Sequence, residues 1–156
     1  MAQNKQTTDD RLVLALYSND RLVRQQVTMA LGDHLPGGLG DVRIDEFATA
    51  DALMEALHSG GKTPFSCIIL DAETTPLGGM GLGYQIKDEI KQAPPMVLMV
   101  ARPQDAWLAT WSRANAVVPL PIDPLTLPDA VASVIRANQA GTLDDTSIVP
   151  GAASRH

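Results

Sequence analysis

Residues 11–17 (RLVLALY), 65–70 (FSCIIL) and 96–101 (MVLMVA) are apolar almost without a break, and each is too short for an ordinary helix. A strand with one wet face alternates apolar and polar residues, so an unbroken run implies burial on both faces. A parallel sheet covered by helices on its two sides meets that condition. The segments between the runs fit such covers. Residues 21–31 place Leu22, Val23, Val27, Ala30 and Leu31 at helical spacing, with Ser18, Asn19 and Asp20 ahead as turn and cap formers and Gly32 behind as a terminator. Residues 50–58 turn Leu53, Met54 and Leu57 to one side and stop at Gly60 and Gly61.

The same reading predicts a short edge strand at 42–47 after the loop HLPGGLGD, and a further strand at 116–120. Helices are predicted through Tyr84, Ile86 and Ile90, over 104–114 and over 125–137, with 72–81 (AETTPLGGMG) as a loop. Strands alternating with helices imply parallel pairing through right-handed crossovers, an α/β fold of five βα units. The domain is expected over 10–138, preceded by an extension, 1–9. The polar, aperiodic tail 139–156 would owe any order to a partner, and no output domain is expected.

Hydrophobic residues make up 45% of the 156-residue chain and aromatics only 4%, so the core must be built from Val, Leu, Ile, Ala and Met. A net charge of −6 without a basic stripe argues against a nucleic-acid partner, whose phosphates are met by clustered Lys and Arg. The polar opening MAQNKQTTDD and the lack of a long apolar run predict neither a signal peptide nor direct membrane insertion, hence a cytoplasmic protein. Cys67 stands alone in an apolar run, which excludes an internal disulfide and suggests a buried, inert thiol.

Signals for catalysis are weak. Ser18 and Ser66 have no His partner nearby in sequence, and His34, His58 and His156 lack metal-ligand spacing, so no enzyme is expected. Gly78, Gly79, Gly81 and Gly83 do not form a dinucleotide fingerprint. Such glycines sit directly between strand and helix with an acid about 20 residues on, whereas these fall late in the expected loop and Met99 stands at that distance from Gly79. Loop flexibility accounts for them. Trp107 and Trp111 lie one helical turn apart, and two readings stay open: both rings pack into the core, or they form a partner interface, as aromatic residues often do. Asp105, Thr110 and Arg113 keep part of that helix polar.

The segment CIILDAETTPLGGMGL ends a strand in Asp71. Together with NDRLVRQQV after the first strand and VVPLPIDPLTL at the last, it resembles the receiver domain of bacterial response regulators over roughly residues 10–137. The resemblance implies a flavodoxin-like, doubly wound five-stranded parallel sheet of order 2-1-3-4-5 with helices on both faces. It also implies that Asp71 matches the phosphoacceptor of phosphorelay signal transduction, and that Leu120-Pro121 matches a bond often cis in receivers. Around Asp71 the pattern is degenerate. The acidic pair that holds Mg²⁺ is replaced by Ser18 and Asn19, leaving Asp20 as the acid, so Mg²⁺ binding is expected to be weak or absent and no other cofactor is implied. The hydroxyl that contacts the phosphoryl group is replaced by Ala101, the Lys before Pro121 by Leu120, and the aromatic switch residue by Val117. The loop from Asp71 to Gly81 is about two residues longer than the receiver pattern.

These departures predict a pseudo-receiver that keeps its scaffold for protein contact, with Asp71 a vestige and Trp107, Trp111 and Val117 forming the partner face. In the alternative, Asp20, Asp71 and Glu73 still gather a cation, Arg102 compensates charge, and the chain is a phosphorylatable single-domain response regulator of a two-component system. An enzyme or a small-molecule sensor using the Gly-rich loop is a third reading. YSND, LDAETTPLGGMGLGYQIKDE and WLATWSRANAVVPLPIDP further resemble stand-alone actinobacterial orphan receivers linked to respiratory NADH:quinone oxidoreductase, complex I. That likeness implies an accessory or regulatory protein docked on the complex's peripheral cytoplasmic arm, at the inner face of the plasma membrane.

Overall fold

A computed structural model describes residues 11–58, 64–102, 107 and 112–143. The chain order is β1 (Leu12–Tyr17), α1 (Arg21–Leu31), β2 (His34–Leu35), β3 (Gly40–Phe47), α2 (Ala50–His58), β4 (Cys67–Asp71), α3 (Gly79–Glu89), β5 (Met96–Val100), β6 (Ala116–Pro119) and α4 (Thr126–Gln139). Five strands pair in parallel in the order β3-β1-β4-β5-β6, which is the expected 2-1-3-4-5. The sixth strand was not foreseen. β2 pairs antiparallel with the start of β3, His34 beside Asp41 and Leu35 beside Gly40, on the outer edge of the sheet. The loop expected there is a tight hairpin because Gly37 and Gly38 take φ of 76° and 79°, where a side chain would be strained.

The unbroken apolar runs are buried on both faces, as their composition requires. Along β1, Leu14 and Leu16 face one core and Ala15 and Tyr17 the other; β4 divides Cys67 and Ile69 from Ile68 and Leu70 in the same way. The first core is closed by Val27 and Leu31 of α1 and by Leu127, Val131, Val134 and Ile135 of α4. The second is closed by Leu53 and Leu57 of α2 and by Leu82 and Ile86 of α3. Phe65, just ahead of β4, meets Phe47 edge to face with ring centroids 5.9 Å apart. Cys67 is fully buried, and loss of hydration pushes its thiol pKa well above the usual range, in keeping with an inert group.

Two boundaries move. α3 begins at Gly79, so Gly79, Gly81 and Gly83 belong to a helix and not to a flexible loop. Their small size serves close packing. A Cβ on Gly79 would lie 2.9 Å from the backbone carbonyl carbon and oxygen of Asp71, and one on Gly83 would lie 3.3 Å from Leu70 Cδ1 and the Ser112 carbonyl oxygen. At the other end α4 continues to Gln139, and Leu143 packs against the first core. The extension 1–9, the tail from 144 and most of the helix expected over 104–114, including Trp111, lie outside the described residues. Among the described residues, no helix is long and apolar enough to cross a membrane.

Candidate functional site

β1 and β4 are central neighbours whose register sets Tyr17 beside Leu70, and this brings the next residues, Ser18 and Asp71, together at the carboxyl ends of the strands. Such an edge is where open α/β sheets collect functional groups. The Ser18 hydroxyl donates to Asp71 Oδ2 at 2.7 Å, and the Glu73 amide donates to Asp71 Oδ1 at 2.9 Å. Both residues are buried, with Asp71 only 2% exposed. Each carboxylate oxygen of Asp71 is therefore held by a donor from the chain itself.

The remaining polar groups are engaged in joining loops. Asp20 caps α1, its Oδ1 accepting from the Leu22 amide at 2.9 Å, while its own amide donates to Ser18 Oγ at 3.1 Å. The Asn19 amide donates to Thr74 Oγ1 at 3.2 Å and its side-chain Nδ2 to the Thr75 carbonyl at 2.8 Å. Arg24 Nη1 donates to the Ser18 carbonyl at 2.7 Å. The Tyr17 hydroxyl donates to the Leu77 carbonyl at 2.6 Å; burial, with the nearby negative charge of Asp71, raises its pKa. Across the site, Glu73 Oε2 accepts from the Ala101 amide at 3.2 Å.

With the Thr74 amide donating to the Asp71 carbonyl at 3.3 Å, Asp71, Ser18, Asn19, Asp20, Glu73 and Ala101 are joined by one hydrogen-bonded network. Asp20 is turned to its helix cap and Glu73 to the Ala101 amide, and among the described residues no group of three His, Cys, Asp or Glu could hold a metal ion. Of the three acids named for a cation, Asp71 is held by Ser18 and the Glu73 amide, Asp20 by the Leu22 amide and Glu73 by the Ala101 amide. Arg102 lies exposed beside Ala101. Leu120 is partly buried against the first core and is joined to Pro121 by a cis peptide bond, as the resemblance implied.

The expected partner face divides. Trp107 is 73% exposed, so its ring is not a core group, whereas Val117 is 3% exposed and packs in the second core. Val117 is withdrawn as an interface residue: its place on β6 turns it inward. Sequence reasoning missed Tyr17, Thr74 and Leu77. A Tyr closing a buried strand is a usable signal, because its hydroxyl needs a partner, but nothing in the sequence marks Thr74 or the Leu77 carbonyl.

No family model matches the sequence. Two curated proteins of Mycobacterium tuberculosis, one each from strains CDC 1551 and H37Rv, are described as uncharacterized response regulatory proteins. Each is 42% identical over 126 residues, which covers 81% of this chain and 92% of the relative. The chain belongs to the response-regulator family. Solved receivers share its fold at low identity. They include the signal receiver domain of an HD domain-containing protein from Pseudomonas fluorescens, with TM-score 0.69 and 16% identity, over 89% of this chain and 97% of that one. A putative response regulator from Chloroflexus aurantiacus gives TM-score 0.68 and 14% identity, over 81% and 98%. Against DrrB of Thermotoga maritima, an OmpR/PhoB homolog, this receiver covers 55% of that chain, with TM-score 0.63 and 17% identity over 85% of its own length. Against the BeF3-activated receiver domain of DrrB it covers 98%, with TM-score 0.62, 17% identity and 81% of its own length.

Proposed function

We propose that this receiver is a protein-interaction module without a working phosphorylation switch, and that its partner is the peripheral cytoplasmic arm of respiratory complex I. The observation that carries the first part is the engagement of both Asp71 oxygens by Ser18 and Glu73 in a buried place. Each of these bonds draws charge from the oxygen it reaches and makes it a weaker nucleophile, and phosphoryl transfer to a carboxylate further calls for a hard cation to neutralise the phosphate and a fixed positive charge. The donor set here does not fit Mg²⁺. Ser18 offers a hydroxyl already committed to Asp71, Asn19 is tied to Thr74 and Thr75, and Asp20 is a helix cap. Ala101 and Leu120 supply neither a hydroxyl nor a charge. We infer that the protein is not an enzyme and takes no cofactor.

Support for a binding role comes from the surface. Leu22, Met29 and Leu125 are large apolar residues at 65%, 82% and 77% exposure, and Trp107 joins them as an exposed aromatic. Scattered apolar residues are common on surfaces, but Met29 also lines a cleft of about 310 Å³ with Gln26, Ala30, Pro121, Ile122 and Pro124. The choice of complex I rests on the likeness to stand-alone actinobacterial receivers, and it places the protein at the inner face of the plasma membrane through that complex.

Two experiments test the reading. Incubation with a small phosphodonor and Mg²⁺ leaves the intact mass unchanged; a phosphate adduct that disappears in Asp71→Asn overturns the pseudo-receiver reading in favour of a phosphorylatable response regulator. Complex I, gently solubilised and purified through a tag on one of its own subunits, carries this chain with it. Its absence from the intact complex defeats the partner assignment.

A further inference from the structure

The loop from Ala72 to Gly78 joins β4 to α3 and is tied to the rest of the site on both sides. Toward β1, Tyr17 holds the Leu77 carbonyl, and Asn19 holds Thr74 through its amide and Thr75 through its side chain. Toward β5, the Ala72 amide donates to the Met99 carbonyl at 2.9 Å at the root of the loop, and past the end of that strand a side chain makes the tie. Glu73 Oε2 accepts the Ala101 amide at 3.2 Å, while the Glu73 amide is itself fixed on Asp71 Oδ1. The Ala101 amide is the first one beyond β5, at the start of the segment that leads to the exposed Trp107.

We propose that the Glu73 carboxylate is a built-in clasp: an anion supplied by the chain itself that occupies the Ala101 amide and holds the end of β5 to the β4–α3 loop, so that this face keeps one conformation without any bound anion. The inference deepens the pseudo-receiver reading and rests on it. A carboxylate is the right group for the task. The bond is exposed to solvent, and an ionised acceptor makes it stronger than a neutral one in the same place. The anchor is short and prepared, because the Glu73 backbone is already held by Asp71 and the loop by Asn19 and Tyr17, so that little freedom remains to be lost when the side chain closes. Asp71 therefore acts as a positioning residue for Glu73, a role for a buried acid at this place that requires no phosphate. An added anion would reach the Ala101 amide only by displacing Glu73, against the repulsion of two carboxylates.

The test is amide hydrogen exchange and tryptophan emission on the full chain, with beryllofluoride and Mg²⁺ as the anion probe. In the parent protein the probe changes neither signal. Glu73→Ala speeds exchange of the Ala101 amide several-fold and shifts the emission of the tryptophans that follow it. Glu73→Gln, which keeps an acceptor oxygen but loses the charge, falls between the two. The β1 strand amides serve as the fold control and are unchanged in both variants. Equal exchange at Ala101 in parent and Glu73→Ala, with the β1 control intact, overturns the clasp while leaving the pseudo-receiver reading standing. Probe-induced protection of Ala101 in the parent overturns both.

Discussion

The Ser18 hydroxyl meets Asp71 where both side chains are buried, so neither group has water as a ready substitute for the other. Replacing Ser18 with Ala leaves Asp71 Oδ2 without this donor, and such a loss costs about 1–3 kcal/mol; equilibrium urea denaturation of Ser18→Ala measures it. Cys67 gives a second expectation at this scale. Its thiol pKa is raised by burial above the ordinary 9.0, so the native state keeps a proton that the unfolded chain loses. Stability is therefore unaffected below pH 9 and falls as pH rises past it, at up to about 1.4 kcal/mol per pH unit from this group. Cys67→Ala has a shallower alkaline decline in denaturation midpoint, and the parent thiol reacts with a disulfide reagent only on unfolding. Among the site residues, Asp71 was legible from its place at the end of an apolar run. Thr74 was not, because its value lies in meeting Asn19, 55 positions earlier in the chain.

At the scale of elements, α3 shows why a glycine cluster is ambiguous in sequence. Gly79 brings the helix against the β4 backbone, and a Cβ there would meet main-chain atoms that have little room to move. Gly79→Ala is expected to cost about 1–3 kcal/mol through overpacking. Gly81 faces only the flexible end of Leu77, at 3.0 Å, so in Gly81→Ala the better helix propensity offsets the contact and stability stays within about 1 kcal/mol of the parent. Thermal denaturation of the two variants side by side reads this contrast. Both glycines lie in a helix that periodicity caught only from its later residues, since three of its first five positions are glycines and leave too few side chains to display a pattern. The β2–β3 hairpin escaped for a related reason: two residues of strand are too few to show alternation.

Across the whole molecule, the proposed reading separates the receiver scaffold from the receiver chemistry. The sheet, its order and its two cores depend on the apolar runs, while phosphorylation depends on a few polar side chains at one edge. A protein carrying Ser18→Asp, Ala101→Thr and Leu120→Lys together should therefore retain the fold and gain a phosphate adduct from a small phosphodonor in the presence of Mg²⁺, seen by intact mass, where the parent gains none. Failure of the triple variant to react while folded would point to Glu73 and the tied loop as the further obstacle.

The layered α/β architecture followed from sequence alone, because strands without a polar face must be covered on both sides and the chain between them has helical periodicity. The departures at Ser18, Asn19, Ala101 and Leu120 could be named only by setting those residues against the receiver pattern that the sequence resembles. Only the tertiary structure decided which polar groups meet: that Ser18 closes on Asp71, that Glu73 turns to Ala101, that Val117 is turned inward and Trp107 outward. Those choices depend on strand register and on loops that approach one another across 28 to 60 residues of chain, distances at which local patterning carries no directional information.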